Sequence, residues 1–228
     1  MKRYTFGAMW LALLFVIVCS VQEAGADPFC PTWQTRDKWL VKAVYRSHLD
    51  KDKWSEPVFW EYKIVGLEGD SSEGHYILEI RDRENHLKLN TRLVYRAEDL
   101  SLIRAEITKT RRGKEFVRVL TYEGGTPVIT EQTLTPFDTP VFPLTCPSFI
   151  NFEVIKQVGT LKEVRTIRQE VRQVSWAEEL PDQPPGTDLI EVRCMGKDGL
   201  IFVQYWDRTV PWPLYGQNIN MKYWLVKE

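Results

Sequence analysis

The chain predicts a mainly β protein: an antiparallel meander curled into a barrel or half-barrel with one or two short helices, the alternative being a β-sandwich. Three observations predict it. From Trp39 onward apolar residues recur at every second position in window after window, the period of a strand with one buried face. The windows are joined by short polar links, several carrying Gly, Asn or Asp, which suit antiparallel neighbours, since parallel strands need a long crossover. Finally, helical spacing fits these windows poorly, so a large sheet with one apolar face has to curl on itself or split into two layers.

The first segment stands outside the fold. Lys2 and Arg3 precede an apolar run from Gly7 to Cys19 that is short for a membrane span, and Ala24-Gly25-Ala26 offers the small residues a signal peptidase needs. Residues 1–26 are therefore expected to be a cleaved export signal, leaving 27–228 as a single β-rich domain, periplasmic or secreted. Lipid anchoring through Cys19 is the alternative, against which Val18 occupies the place where a lipoprotein signal carries a small residue. About 200 residues remain, enough for one sizeable core.

Trp39, Val41, Ala43 and Tyr45 mark the first strand, and Val58, Trp60, Tyr62 and Ile64 the second. After a polar loop from Gly66 to Gly74 come Tyr76, Leu78 and Ile80. Leu87, Leu89, Leu93 and Tyr95 follow, then Ile103, Ala105 and Ile107, with tight turns at Arg83–Asn85 and Arg111–Gly113. Strand spacing brings the meander to about six or seven strands by Leu134. Pro136, Pro140, Pro143 and Pro147 then break the ladder, although Phe137, Val141, Phe142 and Leu144 are too apolar to be left in water. Ser148 is placed to cap a short helix bearing Phe149, Phe152 and Ile155 on one side. A strand from Val164 to Ser175, a helical turn over Trp176–Leu180 and a Pro-rich loop over Asp182–Thr187 come next. Leu189–Met195 and Leu200–Trp206 make a hairpin over Lys197-Asp198, and a final strand lies near Tyr223–Val226.

Cys30, Cys146 and Cys194 survive signal removal, and an oxidising compartment permits one bridge among them. Cys30 and Cys146 each precede a proline in loop surroundings and are expected to pair. Cys194 sits in a strand pattern beside Ile190 and Val192, as a buried, inert thiol would. Aromatics are abundant, with nine Trp, nine Tyr and ten Phe. On the inward face of a curled sheet, Trp60, Tyr62, Tyr76, Leu78, Leu93, Tyr95, Tyr122 and Tyr205 form the candidate wall of a ligand cavity, or pack on one another as ordinary core. Trp212, Leu214 and Tyr215 gather around Pro211 and Pro213 as an exposed docking patch or as a lid folded back over the mouth.

The formal net charge is −1 with both signs interspersed, so no strongly basic face and no nucleic-acid partner is expected. His48, His75 and His86 have no zinc-site spacing, and no nucleophile elbow, phosphate loop or dinucleotide fingerprint occurs. No catalytic residue, metal or cofactor is expected. The basic turn of Lys109, Arg111, Arg112 and Lys114 either meets anionic head groups or keeps a sheet edge soluble.

An exported chain of this size, with a long meander, an interrupted stretch and a closing hairpin, resembles the LolA/LolB-type half-barrels of the bacterial envelope. The resemblance spans most of 27–228 as a pattern and carries no site residue across. It implies a concave apolar surface that holds an acyl chain or a lipidated partner. The chain departs from it in showing no convincing helices to plug the mouth. The expected function is thus a non-catalytic envelope protein that binds a lipid or a lipoprotein, with membrane contact at most peripheral. The alternative is an envelope interaction or structural protein.

Overall fold

The computed structural model describes residues 29–47, 49–69, 74–84, 88–121, 141–142, 144–147, 151–158, 161–180 and 188–226. The expected signal segment, Tyr122, His48 and His86 lie outside them. Period-two sequence becomes strand throughout. The strands are β1 (Lys38–Tyr45), β2 (Val58–Glu68), β3 (His75–Asp82), β4 (Leu89–Arg96), β5 (Leu102–Arg111), β6 (Lys114–Thr121), β7 (Asn151–Val158), β8 (Leu161–Val174), β9 (Leu189–Gly196), β10 (Gly199–Trp206), β11 (Tyr215–Asn218) and β12 (Met221–Val226). Turn chemistry sets the tight connections. Between β5 and β6, Arg112 and Gly113 both take positive φ, 52° and 74°, as a two-residue hairpin turn requires.

All twelve strands belong to one antiparallel sheet, in the order β6-β5-β4-β3-β2-β1-β12-β11-β10-β9-β8-β7. Consecutive strands pair with each other except β6 and β7, and the first and last strands join the two halves, with Ala43 opposite Tyr223. The sheet is not closed into a barrel, because β6 and β7 are its two edges, and it is a single layer rather than a sandwich. It nevertheless curls. Trp33 packs on Tyr76 and Tyr95 of β3 and β4, while Cys146, bonded to Cys30, accepts a hydrogen bond from Gln169 of β8. In a flat sheet β4 and β8 would lie roughly 40 Å apart, eight strand spacings. Two short segments joined by that disulfide and touching both are the signature of two wings bent toward each other.

Two expectations about helices are corrected. No helix occurs among the described residues, and Asn151–Val158, expected to be helical after Ser148, is strand β7 paired along its whole length with β8. Val154, Ile155 and Val158 are β-branched, and the long neighbouring strand offers their backbone a ladder that outweighs the local capping signal. Trp176–Leu180 is a turn closed by the Leu180 amide on the Ala177 carbonyl at 3.1 Å. Among the described residues no helix is long and apolar enough to cross a membrane.

Alternation sorts the side chains onto an inner and an outer face. The inner face carries the main core, drawn from β1 to β5 and from β9, β10 and β12. The outer face carries a smaller cluster of Ala177, Leu180, Leu189, Val203, Tyr205, Leu214 and Tyr215, covered by the turns that follow β8 and β10. Gly216 of β11 is required where it stands, because a Cβ there would overlap the ring of Tyr223.

Candidate functional site

Six of the expected wall residues share the inner face. Trp60 and Tyr62 come from β2, Tyr76 and Leu78 from β3, and Leu93 and Tyr95 from β4, and all six are buried in one cluster. Register explains this. Tyr62 faces Ile80, Leu78 faces Leu93 and Tyr76 faces Tyr95 across the ladders, and residues directly opposite point the same way. Tyr205 does not belong to the wall. It lies on the outer face, against Tyr215 at 6.1 Å between ring centres, while Phe202, Gln204 and Trp206 of the same strand point inward. A bulge between Leu200 and Phe202 separates the two ends of that strand's alternation.

The inner face is covered by segments that are not strands. Trp33, which precedes β1, stacks on Trp212 at 6.0 Å and donates its indole N–H to the Pro211 carbonyl at 2.6 Å. Trp212 in turn lies 4.9 Å from Tyr62 and 5.4 Å from Trp39. The tail patch expected from sequence is therefore split. Trp212 is folded back into the inner core, whereas Leu214 and Tyr215 sit in the outer cluster. The second cover is the strap formed by residues 141–142 and 144–146, whose Phe142 ring stacks on Tyr223 at 4.6 Å and leans on Tyr62 at 6.3 Å. A disulfide ties this strap to Cys30, and Gln169 holds it from β8, donating to the Cys146 carbonyl at 2.9 Å and accepting from the Thr145 hydroxyl at 3.1 Å. Cys194 remains a free, buried thiol, and burial pushes its pKa well up.

Most polar tips in this greasy interior have partners. Trp60 donates to the Tyr45 hydroxyl at 2.9 Å, Gln204 to the Tyr223 hydroxyl at 2.9 Å, and Trp206 to the Gln204 side-chain oxygen at 3.2 Å. Burial, reinforced by the neighbouring Tyr95, Tyr45 and Tyr223, holds the Tyr62 phenol well above its ordinary pKa, so it stays neutral. Among the described residues the exceptions include the hydroxyls of Thr91 and Ser101 and the indole N–H groups of Trp39 and Trp212, which are buried without a hydrogen-bond partner, and an orphan of that kind costs about 1–3 kcal/mol. Sequence reasoning placed Trp39 in a strand and Phe142 in the apolar interrupted stretch, but did not assign either to the site. Their spacing from the wall residues in sequence conceals the contact.

Two further features lie elsewhere. An open cleft of about 440 Å³ runs between the N-terminal segment and the β10–β11 loop, lined by Phe29, Pro31, Asp37, Lys38, Arg208 and Pro211, with the Arg208 guanidinium 5.4 Å from the Phe29 ring centre. On the outer face Glu191 is buried. It accepts from Arg172, from Arg193 at 2.9 Å and from the Tyr205 hydroxyl at 3.1 Å. Among the described residues no group of His, Cys, Asp and Glu could hold a metal ion. Comparison with protein-family models, with curated proteins and with solved structures finds no match to this chain.

Proposed function

We propose that the protein is an exported, non-catalytic envelope protein that holds an acyl chain or a lipidated partner against the inner face of its sheet. The observation that carries this reading is the cover. An apolar face spanning much of the sheet is sealed by loop inserts, Trp212 and Phe142, rather than by a second layer, and the seal leaves two indole donors without acceptors. An amphipathic ligand fits such a place. Its chain replaces the Phe142 strap over Tyr62 and Tyr223, and a carbonyl or carboxylate oxygen supplies what Trp39 and Trp212 lack. In the resting state the strap competes for the site and lowers the apparent affinity.

A fluorescent fatty acid tests this. The protein takes it up, and Phe142→Ala, which removes the competitor, binds roughly tenfold more tightly. Absence of uptake by both proteins overturns the reading. It would leave the second one, an envelope interaction protein, which the unbroken packing of Trp60, Tyr62, Leu78 and Leu93 favours. In that case a co-purifying polypeptide, not a lipid, is seen by native mass spectrometry.

A further inference from the structure

A meander of this order places every odd-to-even connection at one end of the sheet, and those turns differ in character from the rest of the surface. Three neighbouring hairpins there, β1–β2, β11–β12 and β9–β10, each hold one aliphatic side chain out in water, on the connection in the first two and at the start of strand β10 in the third. Leu49 is 98 % exposed, Ile219 70 % and Leu200 55 %. Adjacent hairpins lie about 10 Å apart, so the three form a row. The β1–β2 and β11–β12 turns are tied together, since the Arg46 amide donates to the Asn220 carbonyl at 2.8 Å. Behind it Trp54, half-buried, is held between Arg46 at 5.4 Å and Lys222 at 4.9 Å from the ring centre. Farther along the same rim the β5–β6 turn exposes Lys109, Arg111, Arg112 and Lys114, with Glu115 as the acidic neighbour. The opposite rim carries Glu98, Asp99, Glu178 and Glu179 in its connections, whereas the turns of the row balance Asp50, Asp52 and Asp198 with Lys51, Lys53 and Lys197, so the cationic excess of this rim lies at the β5–β6 turn.

We propose that this rim is a docking surface for an anionic lipid bilayer. Isolated aliphatic tips on separate hairpins suit a head-group layer, which each tip enters alone. A protein partner would call for one contiguous dry patch. An aromatic pinned by two cations matches the boundary between head groups and acyl chains, and the cationic turn matches lipid phosphate. The inference does not rest on the ligand reading above, because no inner-face residue takes part.

Vesicle co-sedimentation of the chain from Asp27, which keeps every described strand and lacks the apolar run Gly7–Cys19, provides the test. Two variants are compared with it, Leu49→Asp with Ile219→Asp, and Arg111→Glu with Arg112→Glu, all at exposed positions and checked for unchanged Tm. The unmodified chain pellets with phosphatidylcholine vesicles containing about three-tenths phosphatidylglycerol and not with phosphatidylcholine alone, and each variant loses at least about tenfold in affinity. Fluorescent fatty-acid uptake is unaffected in both variants, which separates this test from the earlier one. No pelleting with anionic vesicles overturns the proposal, and so does pelleting that either variant leaves intact. Retention on an immobilised acidic polypeptide without vesicle binding assigns the rim to a protein partner and overturns it as well.

Discussion

Glu191 illustrates how single residues are fixed by parity. It stands between Ile190 and Val192, which enter the inner core, and so it points to the outer face, where it is buried beneath Tyr205 and two arginines. Burial alone would raise its pKa, but the hydrogen bonds and charges of Arg172 and Arg193 outweigh burial and lower it. A carboxyl with a depressed folded pKa contributes stability that is complete above the unfolded value and fades as pH falls through the folded one. Glu191→Gln is therefore expected to cost about 2 kcal/mol in urea unfolding at neutral pH and to converge with the parent as pH falls through the lowered carboxyl pKa. Equal midpoints at neutral pH would contradict this. At the same scale the sequence showed which residues alternate but not which phase faces inward. Trp60, Tyr62 and Leu78 were legible because β2 and β3 carry charge on the other phase. On β10 both phases are apolar, and Tyr205 could be placed only from the register.

Among the elements, the strap is held by the longest covalent closure in the fold. Cys30 and Cys146 are 116 residues apart in sequence with Cα atoms 4.9 Å from each other. On the chain-entropy account a loop of that length contributes about 4–5 kcal/mol by restricting the unfolded chain. Cys30→Ser with Cys146→Ser is expected to lose an amount of that order in denaturant titration and to free the strap for proteolysis near Phe142. A loss below about 1 kcal/mol would show that Gln169 and the aromatic contacts hold the strap by themselves. The pairing was readable from the loop setting of the two cysteines, and β1 to β5, β9 and β10 from alternation. The short strand β11 was not, since Tyr215–Asn218 follows a Pro-rich stretch and pairs only because β10 and β12 flank it. For β7 the local signals favoured a helix, and a partner strand decided otherwise.

For the whole molecule the informative feature is where the sheet is joined and where it is open. The sequence indicated an antiparallel meander, whose links are local. It gave no sign that β1 and β12 meet, because that contact spans nearly the whole chain and leaves no mark in any window. The edges β6 and β7 run antiparallel to each other, and Phe116, Val117 and Val119 of β6 stay exposed rather than being covered by a further strand. The join at β1 and β12 has a consequence for how the protein is made. Its first strand emerges from synthesis with one long side unmatched and waits for residues 221–226, so the halves can be stitched only after that segment has been made. Rewiring the polypeptide, by joining residue 226 to residue 29 through a flexible linker that keeps Cys30 and Trp33, and opening it between β6 and β7, turns that distant stitch into a local one. Such a permutant should refold faster in stopped-flow experiments, since the average sequence distance between touching residues drops. An unchanged rate would mean that the slow step lies elsewhere than in bringing the two ends together.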